Sequence, residues 1–362
     1  MYFSSLMIKV VLFIVLVVVA ACFGQGPAAG ADMQIDSATR NAVIAELRED
    51  LKANYVFPEV AEKTAGMLEK NRADGKYDAI TSGKAFAEAL TADLQAATND
   101  RHLRVRFSPN MLPVNQPKAA PTEAEKIKHR NNVLSINAGF ETVERLRGNI
   151  GYIKLNGFSD PEIGKETVEA AMNFIANTEA LIIDLRQNGG GSPEMVALIS
   201  SYLFGDKPVH LNSLYWRAGD RTEEFWTKPE VKGRKYVDKP VFVLTAKRTF
   251  SAGEEFTYNL KNLKRATIIG ETTGGGAHPG GMFRLGDHFS AFISTGRAIS
   301  PITKTNWEGT GVEPDIKVAK EEAFKTAYVM AIEHLATKPE NADLKDAIAE
   351  LIGEIKKNPA KH

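Results

Sequence analysis

Ser251 stands where an apolar segment gives way to one with helical character. Pro240–Ala246 (PVFVLTA) predicts a buried strand, and Ala252–Leu263 predicts a helix. A serine at such a corner lies at the carboxyl end of a strand, where α/β proteins bind ligands, and at a helix N-terminus that favours negative charge. The position suits a nucleophilic hydroxyl, although serine is also a preferred N-cap residue that needs no chemistry.

Three consecutive glycines follow a second predicted strand. Ala180–Leu185 (ALIIDL) has the composition of a buried strand, and Gly189–Gly191 comes shortly after it. Glycines let backbone N–H groups point at a ligand without obstruction, as an oxyanion hole requires. A plain turn is the alternative. A phosphate-binding loop is disfavoured, because neither Gly-Lys-Ser/Thr nor Gly-x-Gly-x-x-Gly is present.

A general base has to come from elsewhere in the chain. The seven histidines form no His-Glu-x-x-His pattern, and a single cysteine excludes an internal disulfide and a multi-cysteine site, so neither a metal nor a cofactor is predicted. His278 and His288 are alternative bases, although surface positions are expected for both. Glu254 and Glu255 are expected only to complement the helix dipole. The three tryptophans are expected in packing rather than in a ligand cradle: Trp216, Trp226 and Trp307.

The remaining pattern predicts a helical region followed by an α/β region. Ile44, Leu47, Leu51 and Tyr55 recur at helical spacing, and two more amphipathic stretches follow before residue 98. The proline-containing and then Lys- and Glu-rich segment 109–132 predicts a linker. Later strands and helices alternate, which favours a parallel or mixed sheet. They are predicted within 133–158 (two strands) and at 180–185 (strand), 193–203 (helix), 240–246 (strand), 252–263 (helix), 266–270 (strand) and 289–294 (strand), with helices near the end of the chain.

Composition narrows the possible partners. The chain has 362 residues, 45 Lys plus Arg and 45 Asp plus Glu, without long runs of one sign. This balance argues against nucleic acid or an anionic membrane surface as a partner held by bulk charge. The length suits roughly two domains of about 100 to 200 residues each.

The N-terminal segment predicts export. Val10–Ala21 is an unbroken apolar run, too short to span a bilayer comfortably but suited to a secretory signal at 1–21. The run ends Val-Ala-Ala-Cys22, which resembles a bacterial lipobox, so Cys22 is a predicted lipidation site and 22–33 a tether. The alternative is an ordinary signal cleaved after Ala31. The expected location is the periplasm or cell envelope as a lipoprotein, or secretion as a soluble protein, with the membrane contacted only through the lipid.

Four motifs in order resemble one peptidase family. They are Asp184-Leu-Arg-x-Asn-Gly-Gly-Gly, Ser251-Ala-Gly-Glu-Glu-Phe, Ile269-Gly-Glu-Thr-Thr-Gly-Gly-Gly and Trp307-Glu-Gly-Thr-Gly-Val-Glu-Pro-Asp. Together they resemble the tail-specific, or C-terminal processing, serine peptidases, in the branch of interphotoreceptor retinoid-binding protein modules and the tricorn core. The resemblance implies an α/β protein with an N-terminal helical bundle and a crotonase/Clp-like ββα domain with a mixed sheet. The expected divisions are 34–108 (helical domain), 109–132 (linker), 133–318 (peptidase domain) and 319–362 (C-terminal helices).

The resemblance also implies roles for single residues. Ser251 would be the nucleophile, with the N–H groups of Gly190 and Ala252 as the oxyanion hole. His102 matches the family's base at the end of the helical domain, and Glu308 matches the carboxylate that orients it. Because His102 comes from the helical domain, the site is expected to form only when the two domains dock.

Three departures separate the chain from other branches of the family. The Lys-dyad branch has a lysine 25 residues after the nucleophile, where this chain has Gly276, and the segment after His102 leaves no room for an inserted PDZ domain. Tricorn-type sites place a serine immediately before the histidine, where this chain has Arg101. The expected mechanism is therefore a Ser-His-Glu triad without a Lys base or a fourth relay residue.

The predicted function is a serine endopeptidase that cleaves protein or peptide substrates through an acyl-enzyme. The alternative is a binding module for a retinoid or fatty acid with weak or absent catalysis, as in retinoid-binding relatives. Another acyl-transfer hydrolase is a third possibility. The joint presence of serine, histidine and carboxylate favours the peptidase, because a pure binding protein has no need of all three.

Overall fold

The structure is a computed structural model that describes residues 31–113 and 121–357. Its helices are α1 (Ser37–Asn54), α2 (Pro58–Ala73), α3 (Gly83–Thr98), α4 (Glu123–Ser135), α5 (Pro161–Ile175), α6 (Pro193–Ser201), α7 (Ala252–Asn262), α8 (Lys320–Ala336) and α9 (Lys345–Lys357). Short 3-10 helices occupy Asn137–Gly139 and Pro339–Leu344. The predicted signal 1–21 and Cys22 lie outside the described residues.

Twelve strands are described. They are β1 (Arg104–Phe107), β2 (Phe140–Leu146), β3 (Ile150–Leu155), β4 (Ala180–Asp184), β5 (His210–Trp216), β6 (Arg221–Trp226), β7 (Val241–Thr245), β8 (Thr267–Gly270), β9 (Gly280–Leu285), β10 (Phe289–Ser294), β11 (Gly296–Ile299) and β12 (Ile316–Lys317). Within the described ranges, no helix combines the length and apolar character needed to cross a membrane.

A six-stranded mixed sheet carries the α/β region. Its order is β12-β8-β7-β4-β3-β2, with β2 antiparallel to β3 and the other neighbours parallel. Every residue of β4 and β7 is buried, because helices cover both faces. One face packs in a core with α5, α6 and α7, and the other packs with α8 and α9. The predicted mixed α/β fold is confirmed.

The N-terminal helices form a core with two later strands. Ile44, Leu47 and Leu51 of α1 are buried, as the helical spacing predicts. They belong to the same apolar cluster as Leu285 of β9 and Phe289 of β10. Strand β1, at the end of the predicted helical segment 34–108, pairs antiparallel with β10 in the sheet β1-β10-β9. That segment is therefore not wholly helical, and its last residues join the two regions through backbone hydrogen bonds.

The predicted linker 109–132 contains a helix from Glu123 onward. A capping box begins α4, since the Thr122 hydroxyl accepts from the Glu125 N–H and the Glu125 carboxylate accepts from the Thr122 N–H. Of the α4 residues only Val133 is buried. The sequence analysis did not predict this helix, because a helix with almost no buried face lacks the apolar periodicity that identifies helices.

The third sheet, β11-β5-β6, was not predicted. It is an antiparallel hairpin, β5 and β6, with β11 added to the outer side of β5. Strand β6 (RTEEFW) is mostly exposed and polar, which weakens the alternation that marks a strand. Residues of all three strands line the cavity beside Ser251 that is described below, among them Leu214 of β5, Phe225 of β6 and Ala298 of β11.

Candidate active site

Ser251 lies at the predicted corner between β7 and α7, in a strained backbone conformation. Its φ of 54° and ψ of −121° fall where non-glycine residues are rare, so the surrounding contacts must hold it there. The Phe250 N–H donates to the Asn188 carbonyl at 3.0 Å, and the Ser251 N–H donates to the Glu254 carboxylate at 2.9 Å. The corner thus presents a serine hydroxyl at the carboxyl edge of the sheet.

The glycine loop after β4 packs directly against Ser251. A Cβ on Gly190 would lie 2.7 Å from the Ser251 Cβ, so only glycine permits this approach. The Gly190 N–H donates to the Asn188 Oδ1 at 2.9 Å, whereas the Ala252 N–H has no hydrogen-bond partner among the described residues. Of the two predicted oxyanion donors, the Ala252 N–H is free to donate to a substrate oxygen in this conformation. The Gly190 N–H would first have to break its hydrogen bond with the Asn188 side chain.

Glu254 organises the backbone around Ser251. Besides the Ser251 N–H, its carboxylate accepts the N–H groups of Gly275 at 2.6 Å and Gly276 at 2.8 Å and the Thr273 hydroxyl at 2.5 Å. Burial raises the pKa of Glu254 to about 7, against these hydrogen bonds, which favour the ionised form. The prediction that Glu254 only complements the helix dipole was therefore incomplete. Glu254 holds the serine corner together with a second glycine loop, Gly274–Gly276.

His102 lies beside the residue that precedes the serine. Its ring centroid is 4.5 Å from that of Phe250 and 5.5 Å from that of Phe292, and the Asp100 carboxylate accepts its backbone N–H at 3.0 Å. The ring Nδ1 is buried and makes no hydrogen bond to the residues that the structure describes, and burial lowers the pKa of His102 to about 4, so the imidazole is neutral at pH 7. No hydrogen bond joins His102 to Ser251 in the described part of the chain.

Glu308 joins the backbone next to His102 to the backbone that follows the loop Gly274–Gly276. Its carboxylate accepts the Arg101 N–H at 2.8 Å and the Ala277 N–H at 2.5 Å. Burial, and then the nearby charge of Asp100, raise the pKa of Glu308. Among the described contacts, Glu308 makes no hydrogen bond to the His102 ring. The arrangement orients the His102 backbone rather than its imidazole.

His278 is buried, which contradicts the expected surface position. Its Nδ1 lies 3.1 Å from Asp100 Oδ2 and 3.5 Å from Glu308 Oε2, and its ring packs on Phe57 with centroids 5.5 Å apart. Burial pushes the pKa of Asp100 upward, but the hydrogen bonds with His278 and Ser294 and the nearby charges of His278 and His102 together outweigh it and leave that pKa below its usual value. His288 lies elsewhere, with its Nδ1 3.0 Å from the Ser108 carbonyl.

Asp100, His278 and Glu308 are the described residues whose ligand atoms could hold a metal ion, all within 4.8 Å of one another. The hydrogen bonds above give both carboxylates another role, since each accepts backbone N–H groups near His102. The sequence analysis missed Asp100. Its position two residues before His102 is typical of an Asx turn, and that was the available signal.

A cavity of about 210 Å³ opens beside Ser251. Ala252, Glu255 and Trp307 contribute to its walls, and Trp307 is buried there as predicted. A larger groove of about 1050 Å³ along α4, α5 and β6 shares Glu194 and Phe225 with this cavity. The two spaces together have the form of an extended site with one side pocket.

Two family profiles match most of the chain. The profile of peptidase family S41 matches residues 149–318, and a profile described as the N-terminal domain of peptidase S41 in eukaryotic IRBP matches residues 36–138. The chain therefore belongs to peptidase family S41, that of the C-terminal processing peptidases. This membership confirms the family resemblance seen in the four motifs.

Individual relatives agree with this assignment. The chain is 31% identical over 183 residues to carboxyl-terminal-processing peptidase 2 of Arabidopsis thaliana chloroplasts. The aligned region covers 48% of this chain and 34% of that protein. It is 26% identical over 214 residues to the carboxy-terminal processing protease CtpB of Bacillus subtilis. That alignment covers 58% of this chain and 42% of CtpB. The chain thus spans less than half the length of these curated relatives.

A solved structure shares the fold. The crystal structure of a protein from Parabacteroides merdae is 20% identical and matches with a TM-score of 0.53. The match covers 77% of this chain and 90% of that one. It therefore includes most of the architecture described above.

Proposed function

We propose that the chain is a serine endopeptidase that cleaves protein or peptide substrates through an acyl-enzyme. The observation that carries the proposal is the corner at Ser251, where a strained serine meets the Gly190 backbone and an Ala252 N–H that makes no hydrogen bond within the described ranges. A hydroxyl beside backbone donors at a helix N-terminus suits acyl transfer, because negative charge develops there on the substrate oxygen. Membership of peptidase family S41 supports the same chemistry.

The proposed reaction has two stages. In the first, Ser251 Oγ attacks the scissile carbonyl carbon while His102 takes the hydroxyl proton, and the oxyanion lies on the N–H groups of Ala252 and Gly190. The C–N bond then breaks as His102 returns the proton to the leaving amine. In the second stage, water attacks the ester carbonyl with His102 again as base, which releases the acid and restores the serine.

The base assignment rests on placement and protonation state. His102 packs against the residue before Ser251, and its neutral imidazole can accept a proton. Substrate binding has to bring the imidazole and hydroxyl into hydrogen-bond contact, since catalytic hydrogen bonds often tighten only in the complex. Glu308 is proposed as a positioning residue that holds the His102 segment through the Arg101 N–H.

A peptide substrate agrees with the shape of the site. The groove that adjoins the cavity at Glu194 and Phe225 exceeds the cavity in volume about fivefold, so it has room for several residues of an extended chain. Its exposed margin includes Trp226, an aromatic side chain of the kind enriched at recognition surfaces. No cofactor enters the proposed reaction.

The experiment is covalent labelling with a fluorophosphonate, followed by digestion of unfolded casein. Wild type should be labelled and cleave, and Ser251→Ala should do neither. His102→Ala should lose at least 100-fold in labelling rate and cleavage, whereas the control His334→Ala on α8 should retain both. A folded wild type that is never labelled would exclude the peptidase. Titration with retinol or oleate would then test the alternative binding module.

We also propose that the chain is exported to the cell envelope with residues 1–21 as signal and Cys22 as lipidation site. The support is the apolar run that ends at the only cysteine. In a bacterial host, incorporation of an alkyne fatty acid should be lost in Cys22→Ser. An N-terminus beginning near residue 32 on unlabelled wild type would instead indicate ordinary signal cleavage.

A further inference from the structure

The cavity beside Ser251 has the size of one side chain. Its volume of about 210 Å³ lies below the roughly 300 Å³ at which pockets for whole small molecules begin. Ser251 and Ala252 form one side of it, and apolar walls come from Leu214, Phe225 and Trp307. If the scissile carbonyl carbon is at Ser251 and its oxygen at the Ala252 N–H, the nearest side chain is that of the residue carrying this carbonyl.

A buried carboxylate lines the same cavity, with one oxygen that makes no hydrogen bond to the described part of the chain and with the Asn212 side chain beside it. Glu255 is only 5% exposed, and its Oε1 makes no hydrogen bond to any described residue. A buried polar atom in that condition is destabilising unless a ligand satisfies it. The wall of the cavity therefore contains a buried carboxylate oxygen that the described residues leave without a hydrogen bond.

The other ionisable groups of the cavity have the same sign. Glu194 of α6 and Glu223 of β6 line it with Glu255, and its described lining includes no lysine, arginine or histidine. Glu194 accepts the Ser192 hydroxyl at 2.6 Å, while Glu223 lies 3.3 Å from the Trp216 ring N–H and 3.6 Å from Arg221. Glu194 and Glu223 thus have partners of their own, whereas a Glu255 oxygen beside apolar walls matches a side chain with an apolar stem and a cationic head.

We propose that this cavity is the specificity pocket for the residue on the acyl side of the scissile bond, and that it selects lysine or arginine through Glu255. The inference rests on the proposed peptidase function, because it assigns the pocket a place relative to Ser251. The aliphatic stem contacts Leu214, Phe225 and Trp307, and the cationic head donates to the free Glu255 oxygen. A neutral side chain of similar length leaves that oxygen unsatisfied.

The selection should strengthen with pH. Burial raises the pKa of Glu255 to about 8, so the empty pocket holds a largely protonated carboxyl at pH 6. Glu194 and Glu223 are the titratable groups that face it across the cavity. Since a cation binds the ionised form, the preference for lysine over leucine should rise by up to tenfold per pH unit between pH 6 and 8.

The first test compares peptides that differ only at this position, with lysine, arginine, glutamine or leucine. For wild type, kcat/KM should be at least tenfold higher for the two basic residues. Glu255→Gln should reduce this ratio at least tenfold, mainly through KM, while fluorophosphonate labelling of Ser251 persists. The control Glu59→Gln, at an exposed first-turn glutamate of α2, should keep the wild-type ratio. Equal or better cleavage of the leucine peptide by wild type would overturn the proposal.

The second test needs no catalysis. The Ser251→Ala protein should bind butylguanidinium at least tenfold more tightly than its neutral isostere butylurea, and the added Glu255→Gln substitution should remove that difference. If peptides are not cleaved but this difference is present, the pocket stands and the peptidase proposal fails. If peptides are cleaved without a basic preference and the two probes bind equally, the pocket assignment fails and the peptidase stands.

Discussion

At the scale of single residues, the candidate site depends on buried ionisable groups whose charge state differs from that in water. Burial keeps His102 neutral, with a pKa lowered to about 4, and raises the pKa of Glu255 to about 8. Both shifts disfavour the charged form, which is the usual effect of desolvation. The shift at His102 therefore lowers the free energy of unfolding as the pH falls toward 4, and the shift at Glu255 lowers it as the pH rises toward 8.

His102 is expected to remain neutral where an ordinary histidine is charged. Its imidazole resonances, followed by NMR in the Ser251→Ala protein, should change between pH 5 and pH 3, with a midpoint near 4. Assignment uses a His102→Gln spectrum, in which the same resonances are absent. A midpoint at 6 or above would contradict the burial of the proposed base and would require a more exposed position for its ring.

Glu255 should make the fold less stable as pH rises. Between its unfolded pKa of 4.5 and its folded pKa of about 8, the folded state retains a proton that the unfolded state has lost. The free energy of unfolding therefore falls as pH increases through this range, by up to about 1.4 kcal/mol per pH unit.

Urea denaturation at pH 5, 6.5 and 8 measures this effect. Glu255→Gln, which cannot ionise, should lose less stability between pH 5 and 8 than wild type does, by about 1–3 kcal/mol. Glu59→Gln should follow wild type, because Glu59 is exposed. Parallel curves for wild type and Glu255→Gln would mean that Glu255 is ionised in the folded protein throughout.

At the scale of elements, the loop Gly274–Gly276 lies between the serine corner and the His102 side chain and contacts both. The Glu254 carboxylate accepts the Gly276 N–H. The Gly276 Cα lies against the rings of Phe250 and His102. A Cβ on Gly276 would lie 2.3 Å from Phe250 Cζ and 2.7 Å from His102 Cε1. The glycine is thus required by space rather than by an unusual φ.

Gly276→Ala should therefore damage catalysis more than folding. The added methyl must displace Phe250 or His102, so labelling of Ser251 and kcat/KM should fall at least tenfold, with a stability cost of about 1–3 kcal/mol. The control is Gly281→Ala in β9, where a Cβ would meet nothing within 4 Å. Unchanged activity in Gly276→Ala would contradict the prediction that displacement of either ring, Phe250 or His102, damages the reaction.

The sequence predicts some elements much better than others, for a physical reason. Strands β4 and β7 are buried on both faces, so their apolar runs are visible in the sequence without tertiary information. Helix α4 and strand β6 are mostly exposed, and their periodicity is correspondingly weak. Elements that contribute little to the core leave little pattern in the chain.

The same distinction applies to the site. The serine corner and the glycine loop are local motifs that follow predicted strands, so their placement could be predicted. Glu254 bonds a loop about 20 residues away, and His278 meets Asp100 across 178 residues of chain. Such contacts arise only from tertiary packing, and neither residue's surroundings could be inferred from its neighbours in the sequence.

At the scale of the whole molecule, the N-terminal helices and the strands that lead to the site share one core. Phe289 of β10 packs against Phe86 of α3 and Phe107 of β1, with ring centroids 5.8 and 5.4 Å apart. Strand β1 continues directly from the His102 segment and pairs with β10 along four residues. The position of the proposed base is therefore coupled to the packing of this core.

Phe289→Ala tests that coupling. Truncation of a fully buried phenylalanine should cost about 3–5 kcal/mol. Because α3, β1 and β10 meet at this ring, we expect one cooperative transition, in which far-UV circular dichroism, tryptophan fluorescence and fluorophosphonate labelling are lost together at a lower temperature than in wild type. Met282→Ala on β9, whose side chain is half exposed, should leave the midpoint nearly unchanged. Two separate transitions, with Ser251 still labelled after the helices have melted, would show instead that the peptidase region holds its site without the N-terminal helices and that His102 is not its base.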